Sequence, residues 1–98
     1  MFVGTLEVEI LIPGSCSLKD KRKVINSLKD KIKSKFNVSI AEVDYHDKWQ
    51  RAIIGLSVVN HKRGEIEIIC QKIMKIFLEN GELMIINKRN NIFRIGEE

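Results

Sequence analysis

The sequence predicts an α+β domain in which two helices cover one face of a four-stranded antiparallel sheet. Three observations carry that reading. Apolar residues alternate with a period of two in three segments. They recur at helical spacing in two others. The segments follow one another as strand, helix, strand, strand, helix, strand, the order of two split βαβ units.

The first strand is "TLEVEILI", residues 5 to 12, where Leu6, Val8, Ile10 and Ile12 face one way and Thr5, Glu7, Glu9 and Leu11 the other. Pro13 and Gly14 end it. Ser17 offers a helix N-cap, with Asp20 three residues later in a capping-box-like position. A helix is expected over 18–35. Leu18, Ile25, Leu28, Ile32 and Phe36 form its apolar stripe, Val24 widens it, and Asn37 is the stop. "NVSIAEVDY" alternates again, "RAIIGLSVVN" is a third strand rich in β-branched residues, and "HDKWQ" between them is short enough for a hairpin. A second helix is expected over 64–80. Its buried stripe is Ile66, Ile69, Cys70, Ile73, Ile76 and Phe77, with Gly81 as the residue just past its end. "ELMIINKRNNIFRI" is a last strand, expected to be interrupted or bent around Lys88 to Asn91. The whole, residues 1–98, is one ferredoxin-like βαββαβ sandwich.

Length and composition agree. Ninety-eight residues with 44% apolar side chains suit one domain with one core. No apolar run is long enough to cross a bilayer as a helix. The start "MFVGTLEVEILIPG" lacks a basic region and carries Glu7 and Glu9, so it does not read as a signal peptide, and a cytoplasmic location is expected. Cys16 and Cys70 have no neighbouring cysteine at metal-ligand spacing and read as two reduced thiols, one in a loop and one on a helix core face.

Charge is the feature that points to function. The net charge is +4, but residues 15 to 38 hold eight basic and two acidic side chains, a local +6, which leaves nine basic and eleven acidic elsewhere. At 100° per residue Lys19, Arg22, Asn26, Lys29 and Lys33 share one stripe of the first helix, spanning about 21 Å. A line of cations of that length follows phosphates well. Lys21 and Lys23 are further candidate contacts. Asp20 and Asp30 cannot pair all eight cations, and cations in the first turns oppose the helix dipole. "PGSCS" with the helix start is a candidate anion site. The plain alternative is a solvated helix face.

Other chemistry is thinner. The two strands expected at the sheet centre carry no aromatic residue, so base stacking of the RRM kind is not expected. Asp44, His46 and Asp47 lie within four residues without a metal-specific spacing and read as polar turn residues. Trp49 either tucks against the sheet edge or anchors a partner, and Arg51 begins the third strand within reach of Glu7, Glu9 or Glu42. An acylphosphatase-like loop fails, because "LIPGSCSLKDKR" supplies one glycine and an arginine already inside the helix. No enzyme activity, cofactor, metal or small-molecule substrate is expected. Leu11, Val38, Ile40 and Ile53, or their neighbours of opposite parity, leave apolar side chains on the open sheet. A homodimer through that face, or through the edge strand near "NKRNNIFRI", is therefore expected.

The residues also resemble a family. Ser17, Leu18, Lys19, Lys21 and Arg22, then Phe36, Asn37, Val38, Ser39, Ala41, Glu42 and Val43, then Asp47, Trp49, Gln50 and Arg51 follow the pattern of the YlxP-like family of small bacterial proteins. That resemblance covers residues 3 to 60 well and the remainder in length and pattern only. It implies a ferredoxin-like fold and no assigned catalytic residues. It also implies genes often placed beside those for ribosome-binding factor A and translation initiation factor two. The combined expectation is a non-catalytic accessory factor of translation or ribosome maturation that contacts structured RNA or a ribosomal particle. The competing expectation is a homodimeric protein-interaction module whose lysines only solubilise it.

Overall fold

Alternation in the first strand is realised over β1, Phe2–Leu11, where Leu6, Val8 and Ile10 are buried and Glu7 points to solvent. A computed structural model describes residues 1–96, so the last two residues of the expected 1–98 domain lie outside the described residues. The remaining elements are α1 Leu18–Lys35, β2 Ser39–Asp44, β3 Arg51–Asn60, α2 Arg63–Glu79 and β4 Met84–Arg94. The four strands form one antiparallel sheet in the order β2-β3-β1-β4. The ferredoxin-like βαββαβ expectation is met, with both helix ranges within one residue of those expected.

β1 pairs with β3 along its whole length, from Phe2 opposite Asn60 to Leu11 opposite Arg51. The register places Leu6, Val8 and Ile10 beside Leu56, Ile54 and Ala52 on one face. Ile25, Leu28 and Ile32 of α1 and Ile73, Ile76 and Phe77 of α2 close over that face in one cluster. Burial of these apolar side chains is the main stabilising term, each worth about 2 kcal/mol. The start of α2 comes closest to the sheet at Gly4, where an added Cβ would lie 2.3 Å from Cγ2 of Ile66. Only glycine leaves room for that approach.

Local chemistry sets the boundaries. The Ser17 hydroxyl accepts the Asp20 N–H at 3.0 Å, and the Asp20 carboxylate accepts the Cys16 N–H at 3.0 Å. The helix start is thus already supplied with a carboxylate, which removes the expected anion site in "PGSCS". Gln50 donates to the carbonyls of Pro13 and Ser15, tying that loop to the β2–β3 hairpin.

One further expectation changes. β4 is not interrupted at Lys88–Asn91, where its pairing with β1 is regular; its irregularity is a bulge at Ile86, where the register with β1 shifts between Glu9 and Ile10. Gly81 stands just past the Asn80 cap of α2, as expected, though outside the left-handed region; the Asn80 side chain accepts the Glu82 N–H at 2.9 Å. Cys16 is exposed and Cys70 buried, and both are free thiols. Burial pushes the Cys70 thiol up from its ordinary pKa.

Candidate nucleic-acid interface

Helix α1 buries Lys21, Ile25, Leu28 and Ile32 on one stripe. Lys21 is the surprise. It is 1% exposed, and its ammonium lies 2.7 Å from Oε2 of Glu42. The same Nζ donates to the carbonyl oxygens of Tyr45 at 2.8 Å and Arg51 at 3.2 Å. Lys21 is therefore withdrawn as a phosphate contact: its charge is spent inside, joining α1 to both ends of the hairpin. The Glu42 Oε2 has this ammonium as counter-charge but no aligned hydrogen-bond donor, so the pair is held by charge more than by direction. Tyr45, at φ 62°, is the one non-glycine residue in the left-handed region among the described residues. The Lys21 bond to its carbonyl helps hold that costly conformation.

The remaining cations divide by helical position. Lys19, Arg22 and Lys33 are exposed, and Lys29, the one of the four nearest the apolar stripe by helical angle, is half-buried. Asp20, Lys23, Val24 and Ser27 line a cleft of about 590 Å³ shared with Asn80, Gly81 and Glu82 after α2. That cleft marks the side of α1 turned toward α2. At 100° per residue the Lys19–Arg22–Lys29–Lys33 stripe lies on the opposite flank, along the β2 side. Lys23 faces the cleft and not the stripe. None of Lys19, Arg22, Lys23, Lys29 or Lys33 makes an ion pair among the described residues. Asp30 is the one acidic residue bordering the stripe, and it pairs with none of these cations.

Trp49 and Arg51 belong to the opposite face of the sheet. Trp49 is 56% exposed and lines a shallow hollow of about 420 Å³ with Leu11, Lys48 and Arg51. The Arg51 Nε donates to Glu9 at 2.6 Å, a second guanidinium nitrogen also contacts that carboxylate, and the guanidinium carbon lies 4.4 Å from the centre of the Tyr45 ring. The hydrogen bond to Glu9 raises the Arg51 pKa above its ordinary value. Glu7, Glu9, Asp44 and Arg89 border a second hollow on this face. The open face is thus mixed in charge. Of the apolar residues expected there, Leu11 and Ile53 line these two hollows and the others do not. Ile40 is buried and Val38 packs against the core, whereas Val43, Val59 and Met84 are exposed. Val43 leans over Gly55, where an added Cβ would meet its Cγ1 at 2.8 Å.

The sequence holds the signal for Lys21. It stands four residues before Ile25, on the apolar stripe, and Glu42 stands two residues after Ile40, at the buried parity of β2. Two opposite charges, each at a core position of its own element, announce a buried pair. Among the described residues no group of three or more His, Cys, Asp or Glu side chains could hold a metal ion, and no helix is long and apolar enough to cross a membrane.

A family profile described as "Protein of unknown function (DUF503)" matches residues 3–90. The "Uncharacterized protein YlxP" of Bacillus subtilis (strain 168) is 38% identical over 72 residues, which cover 74% of this chain and 78% of that protein. Among solved structures, a de novo designed protein with a ferredoxin fold, LFR1 1, superposes with a TM-score of 0.58 at 12% identity, covering all of this chain and 91% of its own. That likeness supports the fold alone. A C-terminal segment of the alpha subunit of aIF2 from Pyrococcus abyssi overlaps at a TM-score of 0.44 and 16% identity, over 98% of this chain and 52% of that one, too loosely to bear on fold or function.

Proposed function

The chain belongs to the DUF503 family, and from that premise we propose that it is a non-catalytic, cytoplasmic accessory factor of translation or ribosome maturation. It touches the phosphates of structured RNA, free or in a ribosomal particle, through one flank of α1. The observation that carries this reading is the unpaired cation stripe: Lys19, Arg22, Lys29 and Lys33 on one flank, without ion-pair partners among the described residues. The acidic side chains Glu7, Glu9 and Asp44 lie on the other face of the sheet, which orients the polyanion toward the helix side. The YlxP-like resemblance, with its translation gene neighbours, points the same way.

The test uses Arg22→Glu with Lys33→Glu. Both positions are exposed, unlike Lys29, so folding is left intact, and a carboxylate at position 22, near the start of α1, suits the helix dipole. With roughly four phosphates neutralised, the log–log slope of RNA affinity against salt is expected near about −3 to −4, falling toward about −2 in the double variant. Thermal melting of the two proteins should agree within a few degrees. If the variant co-sediments with ribosomal particles as well as the parent, or the parent does not associate at all, the RNA reading falls.

A second reading keeps one specific observation in its favour. Val43, Trp49, Val59 and Met84 are large apolar residues exposed on or beside the face not covered by helices. A homodimeric protein-interaction module would bury them. Sedimentation velocity at micromolar concentration is expected to give twice 11.3 kDa on that reading, with no salt-dependent RNA binding. A clean monomer removes it.

A further inference from the structure

Resting on the RNA reading above, we infer that the ligand of the α1 flank is base-paired RNA. The flank straddles a groove of the duplex, with cations on the phosphates of both sides and Asn26 on a 2′-hydroxyl between them.

The spacing along α1 carries this. Lys19 and Arg22 form one cationic pair about 4.5 Å apart along the helix axis, and Lys29 and Lys33 form another about 6 Å apart. The gap between the pairs is about 10 Å, and the residue at its middle on the same flank is Asn26. Asn26 is exposed, and its amide has no partner among the described residues. A single strand presents phosphates in one continuous row, which an unbroken line of cations would follow. Two charged pairs flanking a neutral amide match two phosphate rows bordering a groove. The shallow minor groove of A-form RNA exposes 2′-hydroxyls between those rows, and a carboxamide can donate to or accept from such a hydroxyl.

The aromatic residues point the same way. Single-strand binders stack bases on aromatic side chains beside the cationic track. Here Phe77 is buried, and Phe2, Phe36 and Phe93 are partly buried. The Tyr45 ring lies under Arg51, and Trp49 lines the hollow with Leu11 on the far side of the sheet. Phe36, at the end of α1, packs against the core, and none of the others stands on the Lys19–Lys33 flank. The flank offers charge and one amide but no stacking platform, which disfavours unpaired bases.

The experiment is fluorescence-anisotropy titration of the full chain at fixed salt against three probes of matched length: a duplex RNA of about 20 base pairs, one of its strands alone without self-complementarity, and a duplex DNA of the same sequence. Duplex RNA should bind at least tenfold more tightly than the single strand. Asn26→Ala should weaken duplex RNA about fivefold, the worth of one neutral hydrogen bond, and leave duplex DNA unchanged. A single strand that binds as tightly as the duplex overturns the base-paired ligand. The phosphate reading itself still stands if Arg22→Glu/Lys33→Glu weakens both. Equal binding of duplex DNA, or an Asn26→Ala variant that binds duplex RNA like the parent, overturns the 2′-hydroxyl contact. Absence of binding to all three probes removes both this inference and the reading it rests on.

Discussion

Lys21→Met is expected to destabilise the domain by about 3 kcal/mol and to lower its melting temperature by on the order of 15 °C. Methionine fills the volume of the lysine stem, so the loss reports the ammonium and not a cavity. Without it the Glu42 carboxylate, whose side chain is only 18% exposed, has lost its counter-charge, and the Tyr45 and Arg51 carbonyls lose a donor. Breaking one side of a buried pair costs more than never having the pair. Lys21→Met/Glu42→Leu should therefore recover a large part of the loss while leaving the two carbonyls short of a donor. Urea unfolding of the parent, both single variants and the double variant closes the cycle. A Lys21→Met protein within about 0.5 kcal/mol of the parent would show that the interior pair contributes nothing, contrary to the usual cost of a stranded charge.

The second large effect lies at the contact of β1 with α2. Gly4→Ala should cost about 2 kcal/mol, because the new methyl would lie 2.3 Å from Cγ2 of Ile66, which is itself fully buried and has nowhere to move. Ile66→Ala alone should cost about 3 kcal/mol through lost burial and a cavity beside Val58 and Cys70. Combined, the methyl added at position 4 occupies part of the space that Ile66 vacates, so the double variant should be more stable than the sum of the single losses predicts. Denaturant midpoints of the four proteins measure the coupling. Strict additivity would mean that the two residues do not share this space.

The fold is readable from the sequence wherever one face of an element is apolar and the other polar. β1 and β3 alternate so regularly that the core-facing residues of each follow from parity alone, and α1 carries its apolar stripe at spacings of three and four. Legibility fails where a polar side chain occupies an apolar position. Lys21 reads as a surface cation because lysine is usually wet, yet its place in the stripe gives it the same burial as Ile25. Position outweighs residue type there because Glu42 and two backbone carbonyls satisfy the ammonium. The same limit hides the helix start: Asp20 reads as a reciprocal cap for Ser17, whereas its carboxylate accepts from Cys16 and closes the site to other anions. The bulge at Ile86 leaves no mark in the alternation of "ELMIINKRNNIFRI", because the long outer strand has little buried surface against which a slip would register. The division of the cations between two flanks of α1 needs the position of α2, which helical periodicity alone does not supply.

That bulge also bears on how the protein behaves at high concentration. β4 is an eleven-residue outer strand, and a flat one would act as a template on which further strands from other molecules could stack. The extra residue at Ile86 twists the ladder out of plane, and Lys88 and Arg89 follow just beyond it. A second β4 drawn alongside in register would meet its own positive charge. Growth of ordered fibres from this border is therefore hindered by shape and by charge together. Removing the two cations, more than any change in the interior, is the route by which an otherwise well-folded variant would come out of solution.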